Sequence, residues 1–197
     1  MELLIATNNQ GKVTEIKNKL ADLPFEVFSL KDKEIQIDVI EDGTTFEENA
    51  LKKAREVCAL SHIITIADDS GLEVEYLNNA PGIYSARYAG PNASDQDLYT
   101  KLLKELENVP QEKRGARFVS VIAIVYPDGK EATLRGECYG TIANAPAGTG
   151  GFGYDPVFFV PEQNKTFSQL SLEEKNKISH RAKALDLLKI YLKQQHQ

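Results

Sequence analysis

The feature that most constrains this chain is an apolar run that ends in two adjacent acidic residues, within Thr65–Leu72. The run from Ile63 to Ala67 is rich in β-branched residues, which predicts a buried strand, and Gly71 predicts a sharp turn where that strand stops. Two carboxylates at the end of a buried strand are unfavourable unless a partner such as a divalent cation neutralises them. The stretch therefore indicates a metal-binding catalytic site, although Asp-Asp-Ser-Gly is also ordinary turn chemistry.

Composition narrows the class of protein. The chain has 197 residues, which suits one domain, with or without two lobes. Apolar residues make up 42% and charged residues 26%, as in globular proteins with a sizeable core. The net charge of −6 argues against a surface that coats nucleic acid. It leaves open a small phosphate-bearing ligand, because its pocket can be locally basic.

Cysteine usage and the amino-terminal pattern bear on the compartment. Cys58 and Cys138 lack metal-ligand spacing and are expected to be buried thiols. Residues 1–10 have a strand pattern, unlike a signal peptide, and no apolar run approaches the ~20 residues of a membrane span. We therefore expect a cytoplasmic protein in a reducing environment, with no nucleic-acid or membrane partner.

Alternation and helical periodicity predict mixed α/β structure. The longest β-like run, 116–126, is followed by a turn and a returning strand, and these two are expected to form the central antiparallel pair of the sheet. A further short strand is expected over 72–77. The other predicted elements are strands over 2–7 and 25–30, and helices after residue 12, over 46–60 with Leu60 on the inner face, over 95–107, and as one last helix from Ser171.

The loop after the first strand indicates an anion site. It places one glycine and one lysine between a strand and a helix, so backbone N–H groups and a helix N-terminus lie at the end of the sheet. It lacks the glycine spacing of a P-loop, and Val13 stands where a P-loop has Ser or Thr. A plain strand-to-helix connection is the alternative. The loop residues are Thr7, Asn8, Asn9, Gln10, Gly11 and Lys12.

Lys53 lies beside the apolar face of the helix predicted over 46–60. Its side chain either extends to solvent from the edge of that face or points into a cleft beside the strand that carries Asp69. Glu41 precedes the same helix, and a loop glutamate is usually only solvated.

The glycine-rich segment 148–156 indicates a ligand loop. Its glycines allow backbone conformations closed to other residues, or a ligand lying against the backbone. Phe152 and Tyr154 offer flat faces for a base, and Asp155 offers an acceptor. A linker is the alternative, but linkers seldom interleave aromatic residues so tightly.

The last predicted helix adds basic residues to an otherwise acidic chain. Lys175 falls in its first turn, where a cation is unfavourable unless an anion lies nearby. His180 and Arg181 follow, and a lone histidine is more often structural than catalytic.

Together these stretches resemble the inosine triphosphate pyrophosphatase family, which removes dITP, XTP and ITP from the nucleotide pool. The resemblance covers nearly the whole chain. Each motif alone is weak evidence for the family, whereas all six motifs in the same order are specific to it. One departure is Asn8, where many relatives have glycine. The motifs span residues 7–12, 46–50, 67–72, 81–87, 150–156 and 179–181.

The resemblance implies an elongated mixed β-sheet flanked by helices, with two lobes and a central cleft, in a homodimer. It implies Mg²⁺-dependent hydrolysis of the α–β phosphoanhydride to a nucleoside monophosphate and pyrophosphate. By the family pattern Thr7 to Lys12 and Lys53 bind the triphosphate, Glu41 and Asp69 bind Mg²⁺, and Asp69 also accepts the proton of the attacking water, with Asp68 in support. By the same pattern the nucleoside is bound by Ser70, Phe152, Gly153, Tyr154, Asp155, Lys175, His180 and Arg181.

Two rival functions remain open at this point. One is a Maf-like nucleotide pyrophosphatase with a different base choice, and the other is a non-catalytic nucleotide-binding module. Carboxylates at Glu41, Asp68 and Asp69 argue against the second, because a mere binder gains little from acids that face a polyphosphate.

Overall fold

The computed structural model describes residues 1–195. Within these residues seven strands form one sheet in the order β2-β1-β3-β4-β5-β6-β7. The strands are β1 Glu2–Ile5, β2 Glu26–Ser29, β3 Ile64–Val74, β4 Gly115–Val125, β5 Glu131–Ile142, β6 Phe158–Val160 and β7 Lys165–Thr166. The helices are α1 Gln10–Leu20, α2 Phe46–Ser61, α3 Asp95–Glu105, α4 Leu172–Ile178 and α5 His180–Gln195. The mixed sheet with flanking helices confirms the predicted α/β class.

The direction of the strands explains where the loop after β1 lies. β1 pairs in parallel with β2 and with β3, and Ile5 lies opposite Ile66. The N–H of Ala6 donates to the carbonyl of Ile66 at 2.7 Å. Since parallel strands end at the same edge of a sheet, the loop that follows Ile5 begins beside the segment of β3 that carries Asp68. The other end of the sheet is antiparallel, through the pairs β5–β6 and β6–β7.

The chain divides into two compact units, each with its own core. Unit 1 contains residues 1–69, 120–136 and the described residues from 181 onward, and unit 2 contains residues 70–119 and 137–180. In unit 1 the parallel strands and α1 pack with α5, as shown by buried Ile5, Ile16 and Leu188. In unit 2 the core includes Leu102 of α3 and Phe158 of β6. Both cysteines are buried, as expected.

Three sequence expectations about these elements are wrong. β3 does not end at the acidic pair: it continues through Gly71 to Val74 as one strand, and a short 3₁₀ turn follows where we expected strand to continue. Leu60 is 58% exposed, and the inner face of α2 instead continues to buried Cys58, four residues after Ala54. The last helix is two helices, because Ser179 has an extended backbone (φ −65°, ψ 153°) between α4 and α5.

No helix of residues 1–195 is both long enough and apolar enough to cross a membrane.

The start of the helices follows ordinary capping chemistry. Asn9, Thr45 and Ser94 each accept a hydrogen bond from the first turn of α1, α2 and α3, which satisfies backbone N–H groups that have no partner inside the helix.

Arg114 is a buried cation that fixes the loops of unit 2. It is 5% exposed, and its guanidinium donates to the carbonyl oxygens of Val109, Ala143 and Leu106 at 2.9, 3.2 and 2.7 Å. Loss of the side chain leaves these three acceptors without their donor. We expect Arg114→Met to lower the free energy of unfolding by about 3 kcal/mol, measured by urea denaturation.

Arg55→Met is the matched control, because Arg55 also makes two charged hydrogen bonds, to Glu131, but its side chain is 54% exposed. That substitution should change the free energy of unfolding by under about 1 kcal/mol. Equal losses for the two variants would contradict the role given to the buried guanidinium.

Candidate functional site

One group of predicted site residues surrounds the carboxylate of Asp68, which is fully buried in unit 1. Lys12 Nζ lies 2.6 Å from Oδ2, and Ser120 Oγ donates to Oδ1 at 2.5 Å. The guanidinium of Arg181 approaches both carboxylate oxygens at 3.4 and 3.5 Å. Burial alone would raise the pKa of Asp68, but the charges of Arg181 and Lys12 outweigh it and hold this pKa well below its usual range. Asp68 is therefore an ionised carboxylate that holds two cations in place.

Three separate elements supply the partners of Asp68. Lys12 comes from the first turn of α1, Ser120 from the middle of β4 and Arg181 from the start of α5. A further carboxylate, Glu15 on α1, pairs with Arg181 at 2.6 Å. Burial lowers the pKa of Lys12, and the neighbouring charge of Arg181 acts in the same direction. The cluster thus joins the loop after β1 to two other parts of unit 1.

Asp69 has a different environment from its neighbour. Successive residues of a strand point to opposite faces, so the carboxylates of the two adjacent acids contact different cations. Oδ1 of Asp69 lies 3.3 Å from Lys53 Nζ, whereas Oδ2 is buried and has no hydrogen-bond partner within residues 1–195. Burial raises the pKa of Asp69, and the charge of Lys53 opposes this without cancelling it. A buried carboxylate oxygen without a partner is suited to accept a proton or a cation.

Lys53 lies among carboxylates, as the cleft interpretation of its position on α2 expected. Its Nζ is 2.5 Å from Glu41 Oε1 and 3.0 Å from the carbonyl oxygen of Asp68, in addition to its contact with Asp69. Burial would lower the pKa of Lys53, but the charges of Asp69 and Glu41 raise it above the usual value. The ammonium is therefore firmly protonated.

The loop that carries Glu41 is held by a buried amide. Asn49 of α2 is 0% exposed, and its Oδ1 accepts a hydrogen bond from the N–H of Gly43 at 2.9 Å. This contact fixes the turn between Glu41 and the start of α2. Glu41 thereby reaches the same ammonium as Asp69, and is more than the solvated surface residue that its loop position suggested.

Glu41 and Asp69 are the pair that fits a divalent cation. Both carboxylates contact one cationic group, the ammonium of Lys53, so one cation lies within reach of both. The unpartnered Oδ2 of Asp69 adds a further oxygen. No cluster of three or more acidic, histidine or cysteine side chains with metal-binding geometry occurs in the part of the chain that the structure describes. One or two carboxylates are what Mg²⁺ commonly takes from a protein when substrate phosphates supply other ligands.

The segment Thr7–Lys12 is ordered by its own side chains, and the loop predicted there is shorter than expected because α1 already begins at Gln10. The N–H of Asn9 donates to Thr7 Oγ1 at 3.2 Å, and Asn9 Oδ1 accepts from the N–H of Lys12 at 3.1 Å. Asn8 Nδ2 donates to the carbonyl of Ile37 at 3.4 Å. Asn8, Asn9, Gln10 and Gly11 are exposed. The loop therefore presents a capped helix N-terminus to solvent beside the Lys12–Asp68 pair.

A separate group of predicted binding residues lies in unit 2 and is organised by Asp155. Oδ2 of Asp155 accepts from Lys175 Nζ at 2.6 Å and from the N–H of Phe152 at 3.0 Å. Gly151 has φ +75°, and a Cβ there would lie 2.0 Å from this same oxygen. Only glycine fits at position 151, which is a physical reason for the glycine-rich sequence. The anion near Lys175 that its helix position required is Asp155.

The aromatic residues of this group differ in exposure. Phe152 is 39% exposed, and Lys175 Nζ lies 5.0 Å from its ring centre. Tyr154 is only 4% exposed: its ring belongs to the core of unit 2, and its hydroxyl donates to the carbonyl of Ser85 at 2.7 Å. Of the two rings that the sequence offered for base stacking, Phe152 alone is accessible. Ser70 and Gly153 are both partly buried.

His180 is held by ring stacking. It is 6% exposed, and its ring is nearly parallel to that of Phe118 at a centroid distance of 4.7 Å, with Phe167 at 6.4 Å. The imidazole is therefore fixed in orientation by the core of unit 2.

Three residues of this site were missed by the sequence analysis. Ser120 is a lone hydroxyl in an apolar strand, and Glu15 follows Lys12 by one helical turn. Asn49 is a buried polar residue on the otherwise apolar face of α2, and its contact with Gly43 was not foreseen. A polar residue inside an otherwise apolar run is the signal that identifies Ser120 and Asn49.

Comparison with known proteins identifies the family of this chain. A sequence model of the Ham1 family matches residues 3–191. A dITP/XTP pyrophosphatase of Geobacter sulfurreducens is 53% identical over 96% of both chains, and one of Clostridium perfringens is 50% identical over 98% of this chain and 97% of its own. The solved Ham1 protein of Staphylococcus aureus superposes with a TM-score of 0.91 at 45% identity, covering 99% of this chain and 100% of its own. These matches confirm the resemblance inferred from the motifs, and the chain belongs to the Ham1 family.

Proposed function

We propose that this protein hydrolyses non-standard purine nucleoside triphosphates, ITP, dITP and XTP, to the nucleoside monophosphate and pyrophosphate. The observation that carries the proposal is Asp69, a buried carboxylate with one unpartnered oxygen, whose other oxygen lies 3.3 Å from Lys53 Nζ. It occurs in a chain about half identical to proteins named dITP/XTP pyrophosphatases. Such an enzyme removes damaged nucleotides before they enter nucleic acid.

The basic groups of unit 1 support triphosphate binding. A triphosphate carries ~4 negative charges and repels a nucleophile until these are neutralised. The exposed N-terminus of α1, with Thr7 to Gly11, supplies backbone donors and a favourable dipole. Lys12 and Lys53 supply the charge, which a helix terminus worth only ~0.3–1 kcal/mol does not provide.

Asp69 is the proposed proton acceptor. The attacking water forms a bond to the α-phosphorus, and its proton passes to an oxygen of Asp69. The bond between the α-phosphorus and the α–β bridging oxygen breaks, and this oxygen leaves with pyrophosphate. A raised pKa improves a carboxylate as a base because it binds the proton more strongly. When bound by Glu41 and Asp69, Mg²⁺ would neutralise phosphate charge and lower the pKa of the attacking water.

Asp68 has a supporting role in this proposal. It is saturated with partners, so it positions Lys12 and Arg181 and takes no part in proton transfer. The two adjacent acids thus have separate tasks, with one fixing the cations and the other serving the reaction.

We assign nucleoside binding to the residues around Asp155 in unit 2 and to Ser70. Phe152 offers an accessible ring face for the base, and Asp155 with Lys175 holds the loop that carries it, alongside Gly153 and Tyr154. We propose that His180 and Arg181 donate to the 6-oxo oxygen of hypoxanthine or xanthine. Adenine has a 6-amino donor there, and a donor facing a donor can reduce kcat/KM by up to ~10⁴–10⁵. The family resemblance further supports a homodimer.

The test of this proposal is pyrophosphate release from a substrate panel. We expect release from ITP, dITP and XTP in the presence of Mg²⁺, little from ATP, and none after chelation of the metal. Preference for modified pyrimidine triphosphates would instead indicate a Maf-like base choice. Nucleotide binding without release would indicate a non-catalytic module.

Asp69→Asn is expected to lower kcat for ITP by about 10²–10⁴, because the amide cannot accept the proton. The free energy of unfolding should change little, since burial disfavours the charge that this substitution removes. Steady-state kinetics and urea denaturation measure the two effects. Near-normal turnover would refute the assignment of the base.

Asp68→Asn is the comparison at the adjacent position. It leaves Lys12 and Arg181 without their buried counter-charge, so we expect a loss of about 3 kcal/mol in the free energy of unfolding. A stability equal to that of Asp69→Asn would contradict the separation of roles between the two acids.

A further inference from the structure

The ammonium of Lys53 is saturated in this structure. An ammonium has three N–H donors, and Lys53 Nζ has three oxygen acceptors, on Glu41, Asp69 and the Asp68 backbone, at 2.5, 3.3 and 3.0 Å. No donor is left over for a phosphate oxygen in this arrangement. If Lys53 binds phosphate, its ammonium has to change partners first.

The partners of this ammonium are the two carboxylates that fit a metal ion. Glu41 and Asp69 contact the same Nζ, so the ammonium and a divalent cation compete for the same oxygens. The side chains of Lys53 and Asp69 are only 13% and 9% exposed. Charge interactions are stronger in such a partly desolvated place than at an open surface, so the competition is substantial.

The ammonium of Lys53 also offsets the repulsion between neighbouring carboxylates. Glu41, Asp68 and Asp69 lie close enough for their charges to act on one another, and the charges of Glu41 and Asp68 raise the pKa of Asp69. Without a cation these acids repel each other. Lys53 supplies one positive charge where a bound metal would supply two.

We propose that Lys53 is a resident counter-cation, which occupies the Glu41–Asp69 pair in the free protein and leaves it when a metal–nucleotide complex enters. Glu41 and Asp69 would then hold the metal, and the ammonium of Lys53 would move to the phosphates of the nucleotide. The free protein consequently binds divalent cations weakly, and metal and nucleotide bind in a coupled manner. The identity of the incoming nucleotide rests on the proposed function, whereas the competition between ammonium and metal does not.

The test is direct binding of Mn²⁺, without nucleotide, to the full-length protein, followed by electron paramagnetic resonance of the free ion. Lys53→Met keeps the length of the side chain and removes its charge. We expect Lys53→Met to bind Mn²⁺ about tenfold more tightly than the wild type, within the usual range of coupling between two ligands. Lys53→Gln, also uncharged but polar, should show the same direction and serves if the methionine variant does not fold.

Lys52→Met is the matched control. Lys52 is the preceding residue of α2, and it pairs with Asp42 at 2.6 Å on a more exposed surface. Its removal also deletes one lysine and one ion pair, but it should leave Mn²⁺ affinity unchanged. An equal gain in this variant would mean that net charge alone is responsible, and would overturn the proposal.

A double variant locates the gained binding. Lys53→Met with Asp69→Asn should lose the extra Mn²⁺ affinity, because one of the two carboxylates is gone. Persistence of the gain in the double variant, or an affinity of Lys53→Met no tighter than wild type, overturns the proposal. Absence of pyrophosphate release by the wild type would instead overturn the proposed function and leave the Mn²⁺ comparison intact.

Discussion

The buried contact of Asp68 with Lys12 and Arg181 is the interaction on which the rest of unit 1 depends. A fully buried carboxylate is tolerated only with opposite charge and hydrogen bonds at close range, and Asp68 has both. These partners come from α1, α5 and β4, so one charge fixes three elements. The loop that presents the N-terminus of α1 owes its position to this contact and to the parallel pairing of β1 with β3.

The geometry of a strand gives the adjacent acids different chemistry. Because β3 continues through the acidic pair, Asp68 and Asp69 project from opposite faces of the sheet. The pKa of Asp68 is lowered by its cations, whereas the pKa of Asp69 is raised by burial. A solvated turn at this point, which was the alternative interpretation of Asp-Asp-Ser-Gly, would have placed both side chains in solvent and removed the difference between them. The extended backbone is thus what allows an acid with a lowered pKa and an acid with a raised pKa to be neighbours in the chain.

The sequence predicted the local elements better than the contacts between them. The helices predicted over 46–60 and 95–107 follow from short-range periodicity, and they were confirmed as α2 and α3. The continuation of β3 past Gly71 was not predicted, although the alternation after Gly71 indicated a strand, because β3 and its sheet neighbour β4 are far apart in the sequence. The break at Ser179 was not visible in the sequence. Ile178 and Leu185 are seven residues apart, and this spacing is the one expected for neighbours on the apolar face of a single continuous helix. Asp68, Asp69, Lys12 and Lys53 were identified from their types and spacing, but their pairing required the fold.

The balance of charge in unit 1 explains why a metal fits the proposed reaction. The three cations Lys12, Lys53 and Arg181 face the four carboxylates Glu15, Glu41, Asp68 and Asp69, and three positive against four negative charges leave a net charge of −1. A site with this balance does not attract a triphosphate by its side chains alone. A divalent cation reverses the sign, because two added positive charges give +1 and release the ammonium of Lys53 from its carboxylates. Metal and nucleotide are therefore expected to favour each other's binding for an electrostatic reason, which does not depend on the purine base.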